Sequence, residues 1–147
     1  MPELQRFLTS TMKIRTYLEL RRLETFEERF DYLNLQGEVG RETFGFDRWI
    51  NQRFYKSREW QDIRNHVIIR DNSCDLGVPG YEIYSGLLVH HMNPFSLDDL
   101  KHGEEWIIEP NFLITTSLQT HNAIHYGDKS LLPRGPITRK SGDTTLW

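Results

Sequence analysis

Five of the six histidines lie between positions 90 and 125, and four of these form two clusters. His90 and His91 sit in Leu88-Val89-His90-His91-Met92-Asn93-Pro94. His121 and His125 sit in Thr120-His121-Asn122-Ala123-Ile124-His125-Tyr126-Gly127. Imidazole is the side chain that titrates near neutral pH without help and is also the commonest metal ligand, so this density points to proton or metal chemistry. On a helix, residues four apart share a side, with Cβ atoms about 5–6 Å apart, which preforms two ligands. A third imidazole, His90, at a neighbouring strand end would let three nitrogens lie about 2 Å from one ion, with a position left for water or a phosphate oxygen. Adjacent strand residues project to opposite faces, so His90 and His91 should divide the work, one binding metal and the other standing free as a base. The competing reading makes His91 a fourth ligand in a closed structural site.

Such a site needs a strand, a partner strand and a helix. The spacing predicts strands near 82–84 and 87–92 separated by Ser85-Gly86, with Pro94 ending the second, and another at Phe112-Leu113-Ile114-Thr115. A helix capped by Ser117 or Thr120 should carry His121 and His125 and stop at Gly127. Upstream, Thr16-Tyr17-Leu18-Glu19 and Thr25-Phe26-Glu27-Glu28 match the capping box, predicting helices over 17–23 and 26–33, the second burying Phe26, Phe30 and Leu33. Asp47 can cap a helix through Trp49, Ile50 and Phe54. Ser57 caps a patterned helix to about Arg70, with Trp60, Ile63, Val67 and Ile68 on one face. Pro2 can start a short helix carrying Leu4, Phe7 and Leu8, residues 36–46 read as a connecting loop, 71–77 as a turn, and 96–107 as a polar excursion with one helical turn.

At 147 residues, 37% hydrophobic and 27% charged, the chain reads as one ordinary α+β domain: an N-terminal helical segment (1–56), a core (57–126) and a tail (127–147). No apolar run reaches the roughly eighteen residues of a membrane span, and the N-terminal residues lack the pattern of a secretory signal. A lone cysteine, Cys74, fits a reducing compartment, so a cytoplasmic location is expected, and nothing beside it in sequence would activate its thiol. The net charge of −3 is uneven: residues 71–126 hold one Lys/Arg against eight Asp/Glu, while 13–70 and 127–147 are each about +2. That is either a cation-binding centre between basic arms or solvated surface charge. His66 and His102 read as ordinary packed or surface groups, Trp49 and Trp60 as core anchors, and Arg48, Arg53, Lys56 and Arg58 as a solvated face over aromatics.

From Phe54 to Tyr126 the sequence resembles the HNH (ββα-metal) endonucleases, and its layout is most similar to the small phage-encoded members. The resemblance is carried by Tyr55-Lys56-Ser57-Arg58-Glu59-Trp60, Val67-Ile68-Ile69-Arg70-Asp71, the double histidine with Asn93-Pro94, Leu113-Ile114-Thr115, and His121-Asn122-Ala123-Ile124-His125. It implies a ββα-metal core with the helical segment packed on it. It further implies His90, His121 and His125 as metal ligands, His91 as general base, and Asn111 as the residue that ties down the loop presenting that base. One divalent ion (Mg, Mn, Zn, Ni or Co) would serve phosphodiester hydrolysis in DNA, held mainly through phosphate contacts, with Arg70 or Arg64 as a phosphate clamp. Many relatives brace the fold with two Cys-x-x-Cys pairs. Here Gly77 follows Cys74, and Ser117 and Thr120 replace the second pair, so a structural zinc ribbon is not expected and ordinary packing should hold the domain. The alternative is an inactive module of the same fold that docks on DNA or on a phage packaging partner. A homodimer fits either reading, as does the cytoplasm of a host cell if the chain is phage-encoded.

Overall fold

Caps written into the sequence fix where the helices begin. In the computed structural model, which describes residues 14–35 and 48–133 and only the backbone of 48–51, the order opens with α1 (Tyr17–Leu20), α2 (Phe26–Leu33), α3 (Arg48–Lys56) and α4 (Arg58–Arg70). Thr16, Thr25 and Ser57 each accept a hydrogen bond, at 3.2 Å, from the backbone N–H three residues on, starting α1, α2 and α4. The expected capping boxes close only one way. Glu19 accepts instead from the Tyr32 hydroxyl at 2.8 Å, and Glu28 from the Thr25 hydroxyl at 3.1 Å. The reciprocal box forms between Ser96 and Asp99, inside the stretch expected to be a polar excursion, and opens α5 (Leu97–Lys101). The expected helix at Leu4 to Leu8, the loop 36–46, the Asp47 cap and most of the tail lie outside the described residues.

The strands form two separate antiparallel pairs. Ser85-Gly86 does not turn one predicted strand back on the next. β1 (Cys74–Asp75), within the expected turn, pairs antiparallel with β2 (Tyr81–Glu82), while β3 (Leu87–His91) pairs antiparallel with β4 (Leu113–Ser117). The register sets His90 opposite Ile114 and His91 opposite Leu113. The last helix, α6 (Leu118–Tyr126), starts on Ser117 and ends at Gly127, whose φ of 67° is the left-handed conformation that glycine adopts without strain.

Because side chains alternate along a strand, the β3–β4 ribbon faces two helices with two different surfaces. Ile114 and Met92 join Leu20, Leu33, Leu35 and Ile124 in one core, under α1, α2 and α6. Leu113 joins Trp60 and Val67 of α4 in the other, flanked by Phe54, Ile63 and Val89. Phe30 and Leu33 are buried as their spacing predicts, whereas Phe26 is 41% exposed.

Two strands alone make a marginal sheet, and the outer edge of β4 would leave its backbone unpaired. Side chains and one loop N–H complete it. Thr115 N–H donates to Asp71 Oδ2 at 2.9 Å, Ser117 N–H to Asp75 Oδ2 at 3.2 Å, and the Thr115 carbonyl accepts from Leu76 N–H at 2.9 Å. Arg70 donates to the Leu113 carbonyl at 2.7 Å and the Pro110 carbonyl at 2.8 Å, forks onto Asp71 at 2.8 and 3.2 Å, and lies 3.7 Å over the Tyr17 ring. Four of its five N–H groups are thus used inside the fold, which leaves little of Arg70 for the expected phosphate clamp. The mixed α+β class is as expected, with six α-helices and two small two-stranded sheets among the described residues, and none of these helices is long and apolar enough to cross a membrane.

Arg70→Met leaves the buried Asp71 carboxylate without its cation and is expected to lower the unfolding free energy by about 3 kcal/mol. Urea midpoints measure this, and Arg70→Lys should recover only a minor part, since an ammonium cannot fork across a carboxylate.

Candidate metal centre

His90 is placed by β3 and points into the α6 side of the ribbon, where it is 2% exposed. Helix α6 supplies the other two imidazoles from successive turns, both half-buried. The rings of His121 and His125 are 4.2 Å apart, and each stands nearly perpendicular to His90 at 5.3 Å. One nitrogen from each of the three lies within 4.8 Å of the other two, an arrangement that can hold a metal ion. Among the described residues it is the one such group of histidine, cysteine or carboxylate side chains.

Two observations fit a cation at this point. Nε2 of His90 and Nδ1 of His121 are buried without a hydrogen-bond partner, as are the Thr115 and Thr116 hydroxyls of β4, and the two ring nitrogens belong to members of the cluster. The rings are also held neutral, which is the ligand form. Burial, then the neighbouring His121 and His125, push His90 well below its ordinary value of 6.5; Arg15 adds to the effect. Burial likewise lowers His121, and together with His121 it brings His125 down to about 4.

His91 goes to the opposite face, as strand alternation requires, and takes no part in the cluster. Its half-buried ring stacks on Trp60 at 5.0 Å and 16°, and meets the edge of Phe95 at 4.8 Å, with Phe54 and Tyr55 beyond. Nε2 of His91 lies 3.0 Å from the Ile107 carbonyl. A carbonyl only accepts, so that nitrogen carries the hydrogen and Nδ1 keeps its lone pair. Burial lowers His91 to about 4, against the Ile107 bond, which acts the other way.

Asn111 lies just before β4. It lies in a 3-10 turn (Pro110–Phe112) where its N–H faces Glu109, and its side chain makes no hydrogen bond among the described residues. The group that orients His91 is the Ile107 carbonyl. Sequence reasoning also passed over Asn93, 4% exposed, which accepts from the Arg15 N–H at 2.8 Å and donates to the Arg15 carbonyl at 2.9 Å. That pair of bonds fastens the chain before α1 to the end of the histidine strand. A polar residue between Met92 and Pro94, directly after the double histidine, was the available signal. His66 and His102 are exposed and are not members of the cluster, in keeping with their reading as ordinary groups.

No family model, curated protein or solved structure matches the chain.

Depressed histidine values make stability depend on pH. The unfolded chain takes up protons near 6.5 while the folded chain resists until about 4, so folding stability should be full above pH 6.5 and fall as pH drops between those values. At pH 5, His91 and His125 should each remove on the order of 2 kcal/mol from the metal-free protein. Chemical denaturation at pH 7.5 and pH 5 measures the difference. Replacing either histidine by Gln should remove that residue's share of it.

Proposed function

We propose that this chain is a metal-dependent DNA endonuclease of the HNH type, hydrolysing phosphodiester bonds with His91 as general base. The observation that carries the reading is the convergence of His90, His121 and His125 with unpartnered buried nitrogens, beside a fourth imidazole on the same strand that is excluded from the cluster. Further support comes from chain order: β3, β4 and α6 are an antiparallel pair followed by a helix packed on it, which is the order of a ββα-metal core. Positions 77, 117 and 120, where the resemblance would put cysteines, also lie together around Asp75.

The three imidazoles fit a borderline ion such as Zn, Ni, Co or Mn better than a dedicated magnesium cage of oxygens. When bound there, such an ion supplies Lewis-acid stabilisation of the phosphate and of the departing 3′-oxygen. The remaining work belongs to the chain. Ile107 holds His91 in one tautomer, Trp60 and Phe95 hold its plane, and burial keeps it unprotonated at neutral pH, so its Nδ1 is ready to accept a proton from water. The depressed value also makes it a weaker base than free imidazole, so orientation rather than basicity is its contribution.

A supercoiled plasmid incubated with the protein and Mn, Mg, Ni or Zn should be nicked or cut. His91→Ala should lose about a hundredfold or more in rate while still binding Mn, and His121→Ala should lose both. One rival is a binding module of the same fold, favoured by the Asn111 side chain, which among the described residues makes no hydrogen bond that would tie down a loop presenting His91. A wild-type protein that binds Mn and DNA yet leaves the plasmid intact with every ion would establish that rival and sink the nuclease reading.

A further inference from the structure

Helix α6 carries two of the three metal-cluster histidines, so whatever fixes its first turn fixes them. That turn ends on a buried carboxylate. Asp75 is 1% exposed and accepts four hydrogen bonds: from Gly77 N–H at 2.9 Å on Oδ1, and from Ser117 N–H at 3.2 Å, Ser117 Oγ at 2.7 Å and Thr120 Oγ1 on Oδ2. Ser117 is the N-cap of α6 and accepts from Thr120 N–H at 3.1 Å. Thr120 is the residue before His121. Packing closes the same spot, because a Cβ on Gly77 would stand 2.5 Å from Thr120 Cγ2, a separation real atoms do not adopt. The carboxylate therefore sets both the height and the rotation of the helix against the β1–β2 hairpin.

We infer that Asp75 is a positioning residue for the metal centre: its carboxylate locks Ser117 and Thr120, and through them aims His121 and His125 at His90. The inference rests on the metal reading above. A carboxylate suits the place because all four partners are donors. An amide there would have to turn an NH2 toward Gly77 N–H or toward the Ser117 and Thr120 groups, leaving donor against donor. Asp75 itself touches no metal ligand. Its effect must therefore pass through the helix, as an outer group that orients ligands does.

The test is cobalt(II) binding, by calorimetry and by the visible d–d spectrum, in wild type, Asp75→Asn, Thr120→Val, His121→Ala and Val67→Ala. Val67 is a fully buried residue of the core on the α4 side, so its variant loses stability without touching α6. Asp75→Asn should weaken cobalt binding about tenfold or more and shift the d–d bands. Thr120→Val, which keeps the shape and removes one donor, should move both in the same direction by a smaller step. Val67→Ala should melt earlier with wild-type affinity and spectrum. Wild-type affinity and bands in Asp75→Asn overturn the inference; if that variant does not fold, the same result in Thr120→Val does so. Loss of affinity in Val67→Ala in proportion to its melting temperature also overturns it, since stability alone would then explain the effect. No cobalt binding by wild type, or undiminished binding by His121→Ala, overturns the metal reading and this inference with it.

Discussion

The antiparallel pairing of Leu87–His91 with Leu113–Ser117 is the constraint on which the molecule depends. Once that register is set, adjacent residues must part: His90 and Ile114 to one face, His91 and Leu113 to the other. Each face then meets its own helix and its own core. A slip of one residue would exchange the two histidines, putting His91 against α6 and His90 among the aromatics of α4. The separation of three clustered imidazoles from a fourth, singly bonded one is therefore a property of strand geometry before it is a property of any residue.

A two-stranded ribbon is marginal by itself, and here the outer edge of β4 is finished by side chains and the Leu76 N–H instead of a third strand. Asp71 and Asp75 accept from Thr115 and Ser117, alternate residues of that edge, and Arg70 takes the Leu113 carbonyl between helix end and strand. Each carboxylate also ties in a second element: Asp71 pairs with Arg70 at the end of α4, and Asp75 holds the first turn of α6. Burying these carboxylates is costly, and burial alone raises the value of Asp75 against the four hydrogen bonds that lower it. Such groups persist where all their acceptor capacity is used, and in return they define one arrangement among many that apolar packing alone would tolerate. Polar hubs thus act beside the two apolar cores in bracing this domain.

Local signals were legible in the sequence and long-range ones were not. Ser57 with the Trp60, Ile63, Val67 spacing, and Ser117 with Gly127, give α4 and α6 nearly to the residue, because caps and periodicity act within one turn. The i, i+4 placement of His121 and His125 follows directly. What the sequence left open was pairing: β1 and β2 are two residues each, too short for alternation to register, and the partner of β3 lies across an excursion of some twenty residues. The hubs were hidden for a related reason. Asp75 in Asp-Leu-Gly reads as a turn, which it is, since it accepts from Gly77; nothing local tells that its other oxygen reaches Ser117 and Thr120, more than forty positions on. Trp60 was readable as a core anchor, but its stacking on His91 requires the fold.

The acidic surplus of residues 71–126 invited the idea of a carboxylate-rich cation site, and the fold disperses it. Asp71 and Asp75 accept backbone and hydroxyl donors, Asp99 caps α5, and Glu82, Asp98, Glu105 and Glu109 are exposed. The centre that remains is built from neutral imidazoles, with Arg15 close enough to His90 to add to its resistance to protonation. Neutral donors cancel none of a divalent ion's charge, whereas each carboxylate ligand would remove one unit. An ion held by these three side chains would keep its full positive charge in a partly buried place, where Coulomb attraction is less screened than in water. The complement to such a charge is an anion brought in from outside. A phosphodiester supplies one negative charge and oxygen donors together, so the absence of carboxylates from the cluster bears on ligand chemistry as directly as the presence of the histidines.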